Sequence, residues 1–168
     1  MTKKFNSVLI IGMGLIGSSI SRALTEYQVA NNVYGLDVDD KVIKKCQELN
    51  LIIQGETDLS NFDVQFDLVI ICTPVSTYEK IFIELNKFIL KPTLVTDVGS
   101  TKMSTISDFN KIKPEQNISF VPSHPIAGLE KSGPEFGFSK LFENRYCILT
   151  PFQKDDKAIE AISDMWKS

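Results

Sequence analysis

Two hydrophobic patterns alternate along this chain. Short, largely apolar runs are typical of strands that are buried on both faces of a parallel sheet. Between them, apolar residues recur every three or four positions, as on the buried face of a helix. The runs predict strands at Val8–Ile11, Val33–Leu36, Leu51–Gln54, Leu68–Cys72, Thr93–Thr96, Ile118–Val121 and Arg145–Leu149. The helical spacing predicts helices at Leu15–Gln28, Asp39–Leu49, Thr77–Ile89, Ser100–Phe109 and Asp155–Trp166.

The order of these segments indicates how they connect. A helix between two strands is the crossover that joins parallel neighbours, so the alternation predicts a doubly wound, mostly parallel α/β sheet with helices on both faces. Between Pro122 and Asn144 the alternation lapses, and closely spaced glycines and prolines predict a long loop or a partly helical excursion. We expect one domain over residues 1–168.

Composition narrows the class of protein further. The 168 residues, 43% apolar and 23% charged, are enough for one core and leave little for a second. A net charge of −3 without a basic run argues against a nucleic-acid partner. No stretch approaches the roughly 18 apolar residues of a membrane span, so we expect no membrane insertion. Cys46, Cys72 and Cys147 lie far apart, which favours a reduced, cytoplasmic setting and predicts no metal site.

A glycine-rich segment directly follows the first predicted strand and directly precedes the first predicted helix. Its sequence from Gly12 to Gly17, GMGLIG, matches G-x-G-x-x-G in the setting that a dinucleotide-binding turn requires. In such a turn Gly12 allows the tight bend, Gly14 lets the backbone approach a pyrophosphate, and Gly17 lets the helix lie close to the strand. The N–H groups at the start of the helix would hold the phosphates, so the segment predicts a Rossmann-type nucleotide site.

An acidic residue follows the second predicted strand. A carboxylate at Asp37 would accept hydrogen bonds from the adenosine ribose hydroxyls and repel a 2′-phosphate. No Lys or Arg follows before Lys41, so we predict NAD rather than NADP. The alternative is that the glycines only form a turn and that Asp37 only caps the helix beginning near Asp39.

Four more segments follow later strands: Thr73-Pro74-Val75, Asp97–Lys102, Ser123–Gly128 and the loop after Gly128. Ligands of open α/β sheets lie beyond the carboxyl ends of the strands, so we expect these segments to face one cleft. Ser100 stands at a predicted helix start, where the alternative to a functional role is simple capping of the helix.

His124 is the only histidine in the chain. It excludes a multi-histidine metal site and concentrates proton chemistry near neutral pH on one imidazole. Pro122 and Pro125 would stiffen its segment, and a general base must be held in place. The alternative is a structural histidine.

Three motifs, taken in order, resemble one enzyme family. They are GMGLIGS at Gly12 to Ser18, DVGSTK at Asp97 to Lys102, and HPIAGLEKSG at His124 to Gly133. Leu141-Phe142 and Leu149-Thr150-Pro151 extend the match. The chain resembles the nucleotide-binding domain of the prephenate/arogenate (cyclohexadienyl) dehydrogenases of tyrosine biosynthesis.

The resemblance implies that NAD oxidises a cyclohexadienyl alcohol, prephenate or arogenate, with loss of the ring carboxylate as carbon dioxide. It implies that His124 accepts the proton of the ring hydroxyl and that Ser100 positions nicotinamide, histidine and substrate. The implied cofactor-binding residues are Gly12, Gly14, Leu15, Ile16, Gly17, Asp37, Thr73, Pro74 and Ser100.

Family members continue into a helical domain that forms a homodimer and supplies part of the substrate pocket, so we expect this chain to lack that part and to be a monomer alone. A dicarboxylate substrate calls for a guanidinium clamp. Arg22 and Arg145 are not well placed for one and are expected to make surface or structural contacts. Lys102 and Lys131 are expected to be solvated charges, although either could attract an anion.

Ile159, Ile162 and Trp166 form one stripe on the last predicted helix, which either packs on the sheet or awaits a partner. Two other functions remain open at this point. One is a module that binds NAD without chemistry, and the other is a related dehydrogenase that acts on another small acid.

Overall fold

The structure, a computed structural model, describes residues 4–112 and 117–168. Its main strands are β1 (Phe5–Ile11), β2 (Ala30–Leu36), β3 (Gln54–Glu56), β4 (Leu68–Ile71), β5 (Thr93–Asp97) and β6 (Ile118–Val121). They form one sheet in the order β3-β2-β1-β4-β5-β6, and every neighbouring pair is parallel. The predicted doubly wound parallel sheet is therefore confirmed.

Within the described residues, five α-helices cover the two faces of this sheet. They are α1 (Leu15–Glu26), α2 (Asp40–Glu48), α3 (Tyr78–Phe88), α4 (Lys102–Lys111) and α5 (Asp156–Lys167). Helices α1, α2 and α5 contribute to one apolar cluster, and α3 and α4 contribute to the other. The final helix thus packs on the sheet, with Ile162 fully buried.

The central strands show why this arrangement forms. In β1, Val8 and Ile10 belong to the cluster on one face, while Leu9 and Ile11 belong to the cluster on the other. Each of these four side chains is at most 4% exposed. Since successive side chains of a strand point to opposite faces, an all-apolar run fits only a sheet covered on both sides.

A separate two-stranded ribbon follows the sheet. It consists of β7 (Ser123–Pro125) and β8 (Cys147–Leu149), which pair antiparallel. The prediction of an irregular loop over residues 122–144 is thus wrong at β7, although two 3-10 turns, Pro134–Phe136 and Ser139–Phe142, give that stretch its partly helical character. The strand predicted at Arg145–Leu149 begins later, at Cys147, and lies outside the main sheet.

Two predicted boundaries are also wrong, for local reasons. The strand predicted at Leu51–Gln54 is observed three residues later, as β3. Leu51 and Ile52 are buried, but Ile52 packs over Gly35 and Gly55 rather than forming part of the strand. The helix predicted from Ser100 begins at Lys102. Among residues 4–112 and 117–168, no helix is long and apolar enough to cross a bilayer.

Candidate functional site

The glycine loop between β1 and α1 is held by contacts that exclude side chains. Gly12 has φ +93°, and a Cβ there would lie 2.9 Å from both the Cys72 carbonyl carbon and Thr73 Cγ2. A Cβ at Gly17 would lie 2.0 Å from the Gly12 carbonyl oxygen, so α1 packs directly on the turn. A Cβ at Gly14, in contrast, would meet no protein atom within 4 Å. The outer side of the loop is therefore open at the position where a pyrophosphate would approach the backbone.

The N-terminus of α1 faces the same open side. Gly14 is the N-cap residue and supplies no side-chain cap, and the first turn carries no acidic residue. The first N–H groups of a helix have no partner within the helix, so this end can accept an anion. Leu15 is buried and Ile16 half-buried, and both side chains are apolar, so only their backbone N–H groups are suited to an anion.

Asp37 joins the end of β2 to the glycine loop. Its Oδ2 accepts a hydrogen bond from Met13 N at 2.8 Å, and its Oδ1 accepts one from Asp39 N at 3.0 Å. The N-cap of α2 is Asp39, whose carboxylate accepts from Lys41 N, so the alternative that Asp37 caps this helix is wrong. The Asp37 carboxylate thus lies beside the loop at the carboxyl edge of the sheet.

The predicted segments lie next to one another along this edge. Thr73 lies against Gly12, as the 2.9 Å approach shows. Val75 Cγ2 would lie 2.7 Å from a Cβ at Gly99, and Asp97 binds Ser123 through several hydrogen bonds. The turns after β1, β4, β5 and β6 therefore follow the strand order of the sheet without a gap, as expected for a cleft at the carboxyl ends of parallel strands. Pro74 is exposed on this edge.

Ser100 lies exposed in the turn between β5 and α4. The N-cap of α4 is Thr101, and the Ser104 hydroxyl donates to Thr101 O at 3.0 Å. The alternative that Ser100 caps the helix is therefore wrong. Its hydroxyl makes no hydrogen bond within the part of the chain that the structure describes.

His124 occupies the middle of β7, directly across from Ile148 of β8. Its neighbours Ser123 and Pro125 are buried, whereas His124 is half-buried and Ile148 is 52% exposed. Cross-strand partners share one face of a ribbon, so the imidazole lies on the outer face with Ile148. Within the described residues, its ring makes no hydrogen bond, unlike a buried structural histidine.

Sequence reasoning missed an ion pair beneath these two residues. Lys102 Nζ lies 2.5 Å from Asp97 Oδ2, and the Asp97 side chain is fully buried while that of Lys102 is 12% exposed. The expectation of a solvated Lys102 is wrong. Burial raises the pKa of the Asp97 carboxyl, an effect that the Lys102 ammonium opposes. The only sequence signal was an Asp and a Lys that flank one turn.

Arg22 makes a structural contact, whereas Arg145 and Lys131 are both exposed. Arg22 Nη1 donates to Pro134 O at 3.0 Å, which confirms its structural role. Lys131 Nζ lies 5.1 Å from the centre of the Phe136 ring. Arg145 is exposed at the start of the segment leading to β8. None of these three side chains lies in the turns that carry Ser100 and His124.

Two cavities lie within the described part of the chain, and the second reaches the end of the Ser123–Gly128 segment. One of about 310 Å³ lies between α1 and the end of α5, and one of about 410 Å³ lies between residues 126–129 and 138–145. None of the predicted site residues lines either cavity. Across residues 4–112 and 117–168, no group of three or more His, Cys, Asp or Glu side chains is placed to hold a metal ion.

Comparisons with known proteins show which proteins the chain is similar to in sequence and fold. The family model described as prephenate dehydrogenase, nucleotide-binding domain, matches residues 20–168. The chain is 35% identical over 164 residues to a cyclohexadienyl dehydrogenase of Zymomonas mobilis, covering 97% of the chain and 55% of that protein. It is 34% identical over 169 residues to a prephenate dehydrogenase of Bacillus subtilis, covering 99% of the chain and 45% of that protein.

One solved structure extends the comparison to three dimensions. The crystal structure of prephenate dehydrogenase from Aquifex aeolicus, in complex with hydroxyphenyl propionate and NAD+, superposes with a TM-score of 0.91 at 32% identity. The match covers 99% of this chain and 58% of that one. The chain thus spans about half the length of the curated relatives it matches.

Proposed function

This chain belongs to the prephenate dehydrogenase family, matching its nucleotide-binding domain, and from that premise we propose that it binds NAD and supplies the catalytic histidine for oxidative decarboxylation of prephenate or arogenate. The observation that carries the proposal is the open Gly14 at an uncapped helix N-terminus, beside the Asp37 carboxylate. A pyrophosphate fits the first feature and a ribose diol the second.

Each part of the coenzyme has residues suited to hold it. Gly12, Gly14 and Gly17 would shape the phosphate loop, and the N–H groups of Leu15 and Ile16 would bind phosphate oxygens. Asp37 would bind the adenosine ribose, and Thr73, Pro74 and Ser100 would border the nicotinamide half further along the edge. Bound NAD would supply the hydride acceptor for the oxidation.

The reacting end of the site would lie at the ribbon. The half-buried imidazole of His124, which has no protein partner within the described residues, would accept the proton of the ring hydroxyl. The exposed hydroxyl of Ser100, equally without a described partner, would orient histidine, substrate and nicotinamide. Alkoxide character that develops at the substrate oxygen would be relieved by this proton transfer.

We propose that further protein outside this chain completes the substrate pocket and forms a homodimer. Two observations support this. Neither Ser100 nor His124 lines either of the two cavities. The curated relatives are also about twice as long as the chain. The described arginines also lie outside the turns of the site, so a carboxylate clamp would come from that further part. We place the enzyme in tyrosine biosynthesis in the cytoplasm.

Coenzyme binding is tested with two matched glycine variants. Gly14→Ala puts a methyl group into open space, so the fold is retained while the affinity for NAD falls at least tenfold, about 1.4 kcal/mol. Gly17→Ala drives its methyl group into the Gly12 carbonyl, so this variant loses the fold itself. Titration calorimetry with NAD and thermal unfolding of each variant separate the two effects. Unchanged NAD affinity in a folded Gly14→Ala variant contradicts the proposed site.

Catalysis is tested with His124→Asn in the chain and in a version extended through any downstream reading frame. With NAD and prephenate or arogenate, the substitution is expected to lower kcat at least a hundredfold, the lower end of general-base contributions. NAD affinity, measured in parallel, stays within twofold because the ring does not lie in the glycine loop. Turnover that survives the substitution removes His124 from catalysis, and NAD binding without turnover in any form favours a binding module.

A further inference from the structure

Ser123, the residue immediately before His124, has all of its polar groups bound. Its N–H donates to Asp97 Oδ1 at 3.1 Å, and its carbonyl oxygen accepts from Lys102 Nζ at 2.7 Å. Its hydroxyl donates to Asp97 O at 2.6 Å and accepts from Trp166 Nε1 at 3.2 Å. The side chain is fully buried. The hydroxyl also lies 3.0 Å from Thr96 Oγ1. Every polar group of Ser123 is thus satisfied, which holds the backbone on one side of His124 in place.

The same ion pair also closes the turn that carries Ser100. Asp97 ends β5 and Lys102 begins α4, so their side-chain contact spans the four residues between them. Asp97 Oδ2 further accepts from Gly99 N at 3.0 Å. One buried carboxylate and one buried ammonium therefore contact both the turn of Ser100 and the residue that precedes His124.

We propose that the Asp97–Lys102 pair positions Ser100 and His124 relative to each other, and that Trp166 of α5 links this arrangement to the last helix. The proposal deepens the catalytic role given to these two residues and rests on it. Lys102 is a positioning residue: its ammonium is occupied by Asp97 and by the Ser123 carbonyl rather than left for an anionic ligand. A rigid arrangement matters because small displacements of a general base cost much of its effect.

The chain offers two unique probes of this network. His124 is the only histidine and Trp166 the only tryptophan. The imidazole resonances and the indole N–H resonance are therefore assigned in NMR spectra without ambiguity. Amide hydrogen exchange at Ser123 and His124 reports directly on the backbone that the ion pair holds.

The test compares Lys102→Met with Lys111→Met. Both remove a paired lysine from α4, but Lys111 pairs with Glu79 and Asp108 on the surface, away from the ribbon. We expect Lys102→Met to speed amide exchange at Ser123 at least tenfold and to split or broaden the imidazole resonances, while NAD affinity stays within twofold. Lys111→Met leaves all three readouts at their original values. Lys102→Arg, which keeps a cation, restores part of the protection.

Several outcomes overturn the proposal. One is a Lys102→Met variant with unchanged Ser123 exchange and imidazole signals. Another is loss of prephenate binding in that variant without any change at His124, which makes Lys102 a direct ligand of an anion. If Lys102→Met does not fold, Trp166→Phe carries the test, since it removes the N–H donated to Ser123 Oγ while keeping an aromatic ring against Phe142. Unchanged Ser123 exchange in Trp166→Phe then contradicts the link to α5 and the proposal with it.

Failure of this proposal can be distinguished from failure of the proposed function. Failure of the unsubstituted chain to bind NAD contradicts the proposed function, whereas the exchange and imidazole measurements need no coenzyme. In a form that turns over, Lys102→Met lowers kcat at least tenfold and leaves the KM for NAD within twofold. A loss confined to the KM for NAD contradicts a positioning role.

Discussion

Asp37 is the residue that we expect to set the preference between NAD and NADP. Its carboxylate is half-buried and already accepts hydrogen bonds from the glycine loop and from Asp39 N, which fix its position. A negative charge held there attracts a ribose diol and repels a 2′-phosphate. We predict that Asp37→Asn weakens NAD binding and narrows the preference for NAD over NADP by about tenfold, or about 1.4 kcal/mol.

Asp40→Asn is the matched control for this substitution. Asp40 is an exposed acid in the first turn of α2, where it pairs with Lys44. Removal of its charge changes the net charge equally but leaves the loop untouched, so the ratio of the two dissociation constants stays constant. Dissociation constants for NAD and NADP are measured by calorimetry at one ionic strength, because screening alters both. An Asp37→Asn variant with the original ratio contradicts the assignment.

Asp155 caps the N-terminus of helix α5. Asp155 Oδ1 accepts from Ala158 N at 3.1 Å, and Oδ2 accepts from the Ser119 hydroxyl at 2.8 Å, which ties the helix to β6. We predict that Asp155→Ala costs about 1 kcal/mol at neutral pH, the usual value of an N-cap. For a domain of this size that corresponds to a fall in Tm of roughly 2–4 °C.

The cap also has a defined pH dependence. The Ala158 N–H and then the Ser119 hydroxyl hold the pKa of Asp155 below its ordinary value. A carboxyl whose pKa is lower in the folded state stabilises the fold above its ordinary pKa and loses that contribution as pH falls through the lowered value. Thermal unfolding from pH 7 to pH 2 should therefore show Asp155→Ala approaching the original protein in acid. Asp155→Asn keeps a capping side chain without a charge. If the Tm of this variant depends on pH as strongly as that of the original protein, the pH dependence comes from another group.

Segments whose structure depends on residues adjacent in the sequence could be predicted from the sequence. The buried runs at Leu68 and Ile118 begin where β4 and β6 begin, because an apolar run needs only a covered sheet. The glycine loop was equally predictable: a positive φ at Gly12 and a close approach at Gly17 exclude other residues wherever the rest of the chain lies.

Features that depend on distant partners could not be predicted. β7 has the sequence Ser-His-Pro, which has no strand pattern, and it exists because β8 pairs with it from much further along the chain. The burial of Lys102 likewise depends on contacts with Ser123 and Asp97 across two turns. Such pairings leave no periodicity in the local sequence. The sequence could therefore place Ser100 and His124 after their strands, but it could not predict the ribbon and the ion pair that support them.

The two apolar clusters form layers on opposite faces of one sheet, so we expect the domain to unfold as a unit. The layer of α1, α2 and α5 contains Trp166, and the layer of α3 and α4 contains the buried Tyr34 and Tyr78. The central strands contribute alternate side chains to each layer, so neither layer can lose its packing while the sheet remains intact. Indole fluorescence reports on the first layer, and near-ultraviolet tyrosine dichroism reports mainly on the second, since Tyr27 and Tyr146 are exposed whereas Tyr34 and Tyr78 are buried.

We predict that NAD raises the Tm reported by both probes by the same amount. A ligand that binds only the folded state stabilises it by about 2.7 kcal/mol at a hundredfold excess over its dissociation constant. For a domain of this size the rise is roughly 5–10 °C. Gly14→Ala, whose added methyl group faces open space, should unfold with little change in Tm when NAD is absent. A tenfold weaker affinity leaves about 1.4 kcal/mol of stabilisation at the same NAD concentration, so its rise in Tm with NAD should be at most about half as large. A rise seen only by fluorescence would mean that the layers separate, and no rise by either probe would contradict NAD as the ligand of the glycine loop.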